Sequence, residues 1–422
     1  MLDIHLIREK PDEVKAALAR IGEDGRVDEI LALDARRREM IAEIEKMRGE
    51  RNLVSKEIPD IKDKNEREQK IAAMRALGNR LAAREEEARQ LDEEFEWAML
   101  HTPNMPSGDT PDGAGEADNI VIGEYGNKPE FEFIPRPHWE IGENLGLIDF
   151  ERGTKISGSR FYLLKGNLAL LQRALISFML DVHTKEHGFT EIYPPFMVRK
   201  SCLYGTGQLP KFDDTVYRDA EEDFYWVPTA EVPVTNMYAH EIFDAARLPV
   251  LHVAYTPCFR REKMSAGKDV RGIKRGHQFD KVEMVAFTKP ENSAAMLEQI
   301  MVFAEDILQR LELPWRRLRI CAGDLSFTAA AKYDLEVWAD GCGEWLEVSS
   351  ISNFRDFQAR RCDIRFRTSP EAKPEFVHTL NGSGLALPRV LIAILENYQL
   401  SNGRVRVPDA LRPWMGGVYF LG

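Results

Sequence analysis

No apolar run in this chain approaches the ~18–20 residues of a helical membrane span, so no membrane partner is expected. The five cysteines, Cys202, Cys258, Cys321, Cys342 and Cys362, form no C-x-x-C pair, and their number is odd. That suits reduced structural thiols better than a disulfide framework or a cysteine zinc site. The glycine-rich turns Gly205-Thr-Gly207 and Gly382-Ser-Gly384 do not complete G-x-G-x-x-G, so a dinucleotide fold is not expected. Gly382 and Gly384 still allow a backbone to come close to a ligand before a helix. An excess of positive charge is also missing. The net charge is −12, which argues against a protein that coats itself with nucleic acid. The start, MLDIHLIREKPDE, is charged from its third residue and shows neither a signal-peptide core nor transit-peptide character, so a cytoplasmic location is expected. No internal repeat is visible.

The first hundred residues are poor in glycine and aromatics and rich in Ala, Glu, Lys, Arg and Leu. Ile30, Leu33, Arg37, Met40, Ile44, Met47, Arg51, Val54 and Ile58 recur at alternating threes and fours, a heptad seam holding two arginines. Pro59-Asp60 breaks it. A second seam runs through Met74, Leu77, Leu81, Arg84, Ala88, Leu91, Phe95 and Ala98. The pair predicts an antiparallel helical hairpin over about 27–100, projecting as an arm within a 1–100 helical domain. Positive charge gathers at its distal half, in Lys46, Arg48, Arg51, Lys56, Lys62, Lys64, Arg67, Lys70, Arg75 and Arg80, and negative charge at its base. That suits a phosphate backbone, although charge alone favours a plainer solvated coiled coil. Residues 101–119, HTPNMPSGDTPDGAGEADN, read as a linker that packs no core.

Residues 120–422 read as α+β. Helices are predicted at 167–187, 292–311 and 384–399. Strands are predicted at 189–198, 251–260, 277–288, 315–322, 333–338 and 344–351. His183-Thr-Lys-Glu186-His187 matches an inverted zinc-protease pattern, but it sits in the last turn of a helix without a third ligand, so no metal is expected there. The segment CFRREKMSAGKDVRGIKRGHQFDKVEMV, 258–285, concentrates Arg260, Arg261, Lys263, Lys268, Arg271, Lys274 and Arg275 on two strands and their loop. A polyphosphate is the natural partner for such charge in an acidic protein, and an exposed solvated hairpin is the plain alternative. Glu262, Glu283 and Phe279 add two carboxylates and a ring. Glu336 and Glu347 place carboxylates on strands that could hold Mg²⁺ against phosphates. Arg389 stands one turn into an otherwise apolar helix, where it faces either an anion or water.

These segments in this order, with the strand–proline turn Phe189–Pro195, GTGQLPKF at 205–212, TAEVP at 229–233, EVSSISNFRDFQARR and LNGSGLALPR, resemble the class II aminoacyl-tRNA synthetases, and among them the bacterial-type seryl-tRNA synthetases. The resemblance spans essentially the whole chain. It implies an α+β fold: an antiparallel-sheet class II catalytic domain with an N-terminal antiparallel coiled-coil hairpin. It implies an ATP-dependent, AMP-forming serine–tRNA ligase, active as a homodimer through the 167–187 helix and Phe189–Pro195. By the same resemblance, ATP falls to Arg260, Arg261, Glu262, Arg271, Phe279, Glu347, Val348, Ser349, Ser350 and Arg389, with Arg260, Arg389 and Glu347 catalytic. Mg²⁺ falls to Glu347 and Ser350. L-Serine falls to Thr229, Ala230, Glu231, Arg260, Glu283, Asn381 and Ser383, with Glu283 accepting the serine hydroxyl.

The basic arm residues Arg48, Arg51, Lys56, Lys62, Lys64, Arg67, Lys70 and Arg75 are implied to meet tRNA-Ser. Whether Arg37 and Arg51 are structural, and whether tRNA-Sec is also charged, stays open in the sequence. Lys263-Met264-Ser265 departs from the Ala-Gly that many relatives carry after the hairpin glutamate, which bears on the loop meeting the tRNA end. Rival readings are a carrier-protein ligase on the same fold, a non-catalytic RNA-binding paralogue, and a threonine or proline synthetase. The arm, the intact ATP-site residues and the lack of a Cys/His cluster respectively argue against them.

Overall fold

A computed structural model describes residues 1–263 and 271–422. It divides into two compact units: residues 1–19 with 23–103, and residues 20–22 with 104–422. The loop residues Met264, Ser265 and Lys268 singled out above lie outside the described residues.

The first unit holds α1 (Ile4–Glu9), α2 (Pro11–Ala19), α3 (Val27–Glu57) and α4 (Lys64–Leu100). At ~1.5 Å per residue, α3 and α4 run about 46 and 55 Å. A 3₁₀ turn at Ile58–Asp60 ends α3, and the Asp63 carboxylate caps the start of α4 by accepting the Glu66 N–H at 2.7 Å. The two long helices are antiparallel: Arg37 pairs with Asp92, Arg48 with Glu85 and Lys70 with Glu57. Their contact is the predicted seam, with Ile44, Met47, Leu77 and Leu81 buried and Met40, Met74 and Ala88 packed around them. Arg37 is a structural member of that seam, its guanidinium lying 4.1 Å from the Phe95 ring centre and its Nε 2.6 Å from Asp92. Arg51 is exposed. Asp34, buried among apolar neighbours, is held by Arg8 at 2.6 Å and Arg38 at 3.1 Å.

The second unit is built on an eight-stranded sheet. Its strands are β1 (Ile120–Tyr125), β2 (Thr190–Glu191), β3 (Val250–Phe259), β4 (Gln278–Thr288), β5 (Trp315–Arg319), β6 (Ala331–Ala339), β7 (Glu344–Arg355) and β8 (His378–Ala386). The order is β1-β5-β6-β7-β8-β4-β3-β2. Every pairing is antiparallel except β2 with β3. Helices α5 (Gly166–Lys185), α6 (Ser293–Arg310) and α7 (Leu387–Asn397) bury their apolar sides in the main core with Val282, Met284, Leu335 and Leu380.

Three expectations change. The predicted strand 189–198 is split: only Thr190–Glu191 joins the large sheet, and Met197–Arg199 pairs elsewhere with Phe224–Trp226. Pro194-Pro195 lacks the N–H groups a continuous ladder needs. Strand β8, unread in HTLNGSGLA, is a central strand despite its glycines. A Cβ on Gly382 would lie 2.5 Å from Ile300 of α6, and one on Gly384 2.7 Å from His183 of α5. Their close approach is to helices, not to a ligand. Residues 101–119 do pack. Asn104 Nδ2 donates to the carbonyls of Thr328 and Phe354, Ser107 N–H donates to Ala330, and Thr102, Asn104, Ser107 and Thr110 are buried. Turn-forming residues left those backbone groups free to bond to the sheet's loops.

Candidate active site

One cavity of about 650 Å³ opens over the middle of this sheet. Side chains alternate across a strand, so Phe279, Lys281 and Glu283 of β4 all face it while Val282 and Met284 enter the core. Two bulges aim the neighbouring strands. In β7, Leu335 pairs with Ser349 and Glu336 with Glu347, leaving Val348 as the extra residue, so Glu347 turns to the same side as Ser350 and Ser352. In β8, Ser383 pairs with Glu283 and Leu385 with Val282, leaving Gly384 extra, and Asn381 and Ser383 face the cavity.

One end of the cavity is cationic. Arg260, just past β3, lies with its guanidinium 5.2 Å from the Phe279 ring centre, and its Nε donates to the Pro228 carbonyl at 3.2 Å. Arg275 stands 3.7 Å from Glu262, and Lys274 bonds Glu344 at 2.5 Å. Arg389 enters from the first turn of α7 and donates to the Glu347 carbonyl at 2.5 Å. The Glu347 side chain is 45% exposed at the cavity surface; partial desolvation there would raise its carboxyl, but Arg389, Lys332, Arg260 and Arg275 outweigh it and hold the group below its ordinary range. Behind it, Asp334 is pushed up to about 7, by burial first and then by the Glu347 charge, against the pull of Lys332 at 3.0 Å.

The other end is a buried polar chain. Gln358 Nε2 donates to Glu231 Oε1 at 2.6 Å, and Asn381 Nδ2 donates to Glu231 Oε2 at 3.0 Å and to Glu283 Oε1 at 2.8 Å. Lys281 Nζ lies 2.5 Å from Glu283 Oε2 and bonds the Thr229 hydroxyl at 2.9 Å. Burial, and then the Glu283 charge, push the Glu231 carboxyl up to about 7. Asn381 Oδ1 is buried with no partner among the described residues, so an acceptor stands ready for a donor from outside the chain. Two carboxylates, a lysine and a free amide oxygen suit a small zwitterion; the arginine end suits phosphates.

Most of the residues assigned by resemblance line this one cavity: Thr229, Glu231, Arg260, Glu262, Phe279, Glu283, Glu347, Val348, Ser350, Asn381, Ser383 and Arg389. Four do not. Arg261 Nε bonds the Val216 carbonyl at 2.9 Å, and its guanidinium covers the Tyr217 ring. Arg271 lies over Trp139. Ala230 is core, and the Ser349 hydroxyl is spent on the Ser383 carbonyl at 2.6 Å. Glu336 is also outside, paired with Arg316. Lys281 was missed, although its place in Phe279-x-Lys281-x-Glu283 puts it on the same strand face as two residues that were found. Gln358, Thr206 and Gln208 lie in segments that carried the resemblance but were given no role.

His183 and His187 bond each other at 3.0 Å, and His187 continues to Asp306 at 3.1 Å. Burial pushes His183 down to about 3. Nδ1 of His183 and both ring nitrogens of His187 serve this internal relay. His138 and Glu396, both buried, form a compact cluster with the half-buried Cys342, but Glu396 already accepts hydrogen bonds from both of the others. In the helical unit, Arg51, Lys56, Lys62, Lys64, Arg67 and Arg75 are exposed and form no ion pair among the described residues, whereas Arg48 and Lys70 are paired.

Known proteins match both units. The model of the seryl-tRNA synthetase N-terminal domain matches residues 1–106, and that of the tRNA synthetase class II core domain (G, H, P, S and T) matches residues 212–398. The chain is 56% identical over 422 residues to a serine–tRNA ligase of Thermomicrobium roseum, covering 100% of this chain and 95% of that one. It is 55% identical over 423 residues to one of Chloroflexus aurantiacus, covering 100% of both. The crystal structure of seryl-tRNA synthetase from Pyrococcus horikoshii complexed with ATP superposes with a TM-score of 0.92 at 40% identity, over 100% of this chain and 99% of that one.

Proposed function

The chain belongs to the seryl-tRNA synthetase family and is a serine–tRNA ligase, and from that premise we propose how its cavity works. ATP lies at the arginine end. L-Serine lies at the carboxylate end. A serine carboxylate oxygen attacks the α-phosphorus, the bond to the bridging oxygen breaks, and pyrophosphate leaves with that electron pair. The carboxylate is already a nucleophile, so no activated Ser or Cys is required; catalysis is positioning and charge neutralisation. Arg260 neutralises charge at the α-phosphate, with Phe279 beneath the adenine and Glu262 beside its amino group. Arg389 and Arg275 take the outer phosphates. In the second step the terminal ribose hydroxyl of tRNA-Ser attacks the acyl carbon and AMP leaves.

Serine is recognised by Glu231 through its ammonium group and by Glu283 through its hydroxyl. Asn381 bridges the two carboxylates, and Thr229 and Ser383 complete the walls. The hard oxygen donors of Glu347 and Ser350, side by side on the cavity face, fit Mg²⁺, which supplies charge neutralisation on phosphate oxygens when bound.

The exposed cations of 51–75 in the helical unit suit the backbone of tRNA-Ser. A homodimer is supported by the exposed apolar edge strand β1, where Ile120, Val121 and Ile122 are 41–48% exposed. Among the described residues no helix is long and apolar enough to cross a membrane. A cytoplasmic location is part of the proposed reading. The observation that carries the reading is a cavity with paired buried carboxylates at one end and Arg260, Arg275 and Arg389 gathered at the other. Charging assays with serine and tRNA-Ser, tRNA-Sec or an acyl carrier protein test it. Transfer to tRNA-Ser is expected, and transfer to the carrier protein alone would replace the reading with the rival ligase.

A further inference from the structure

A short helix, His138–Asn144, touches the cationic hairpin with its first two residues. His138 is fully buried, and its Nδ1 lies 2.8 Å from Oε1 of Glu396 in α7. A carboxylate accepts, so Nδ1 carries the proton and Nε2 is left as an acceptor. The Ile273 N–H donates to that Nε2 at 3.1 Å. Gly272 has φ +82, and a Cβ there would lie 2.0 Å from His138 Nε2 and 3.0 Å from the Trp139 ring. The Arg271 guanidinium stands 4.9 Å from the same Trp139 ring centre. Lys274 and Arg275, the next residues, are in the cavity wall. Glu396 also accepts the Cys342 N–H at 2.9 Å, fixing the turn that leads to Glu344, the partner of Lys274.

We propose that His138, oriented by Glu396, is a positioning residue for ATP that clasps the second half of the hairpin and so sets Lys274 and Arg275 on the nucleotide. The proposal rests on the ATP reading of the cavity. Arg260, Lys274 and Arg275 line one wall of the cavity, with Lys274 held by Glu344 and Arg275 3.7 Å from Glu262. The hydrogen bond from the Ile273 N–H to a fully buried ring nitrogen fixes the backbone that leads into Lys274 and Arg275, so the ordering cost is met before binding. Glu396 lies seven residues, two helical turns, beyond Arg389 on α7. One rigid helix therefore references both phosphate-facing walls.

The test compares full-length wild type and His138→Ala in serine-dependent ATP–pyrophosphate exchange, with hydrogen exchange over residues 271–275 in the absence of nucleotide. The expected result is an ATP KM about tenfold higher, a serine KM within about twofold, and faster amide exchange in that segment. His138→Gln, which keeps a donor and an acceptor, is expected to recover part of the loss. Should His138→Ala not fold, Gly272→Ala carries the same test from the hairpin itself, because its Cβ drives the segment off the imidazole. An unchanged ATP KM, or ATP and serine KM rising together, overturns the clasp while leaving the enzyme's activity in place. Absence of exchange in wild type overturns the functional reading, and the clasp falls with it.

Discussion

Arg260 meets three demands at once: its Nε is fixed by the Pro228 carbonyl, its face lies against Phe279, and its free guanidinium edge enters the cavity. Truncating it removes charge neutralisation where charge develops, and Arg260→Ala is expected to lose about 10²-fold or more in adenylate formation, measured by pyrophosphate exchange. Activity within a few-fold of wild type would refute that role. Glu231 makes a pH prediction. Its carboxyl is held up to about 7 in the folded protein, against 4.5 ordinarily. The folded state therefore keeps a proton that the unfolded chain releases near 4.5, and the stability this gives is lost as pH rises through 7. An ammonium ligand favours the ionised form, so serine KM should fall as pH rises from 6 to 8, and Glu231→Gln should flatten the profile. Glu283→Gln should weaken serine-over-alanine discrimination by about tenfold or more, read as the ratio of kcat/KM values. Arg260, Glu283 and Arg389 were named because the resemblance assigned them, and all three line the cavity. Lys281 was not, because a lysine two residues from a glutamate reads as surface until the strand's inner face is known. Gln358 reaches Glu231 from a segment 127 residues away, a separation no local pattern encodes.

Among elements, the heptad seams were the most legible, since every seam position but Arg51 is buried or half-buried in the helical hairpin. Strand β8 was the least. Its Asn-Gly-Ser-Gly run reads as a turn, and the reason for the glycines, the close passage of α5 and α6, exists only in three dimensions. The apparent linker misled for the reverse reason: residues suited to turns also offer free backbone groups, and here those bond the sheet's loops. The turn between α3 and α4 and the first turn of α4 carry Lys62, Lys64 and Arg67, all exposed without ion pairs among the described residues. If these meet a phosphate backbone, reversing all three to Glu should lower kcat/KM for tRNA charging at least tenfold and reduce its salt dependence, with serine-dependent exchange unchanged. Equal charging by the variant and the wild type would show that the tRNA lies elsewhere.

Across the whole molecule, a chain of net charge −12 gathers cations along one helical hairpin and at one end of one cavity, the two places proposed to meet anionic ligands. Serine activation in this cavity is the step on which the proposed residue roles depend. Amino-acid-dependent ATP–pyrophosphate exchange, run without tRNA over all twenty amino acids, tests it most directly. Exchange with serine alone is the predicted result. Exchange driven by another amino acid, or by none, would contradict it.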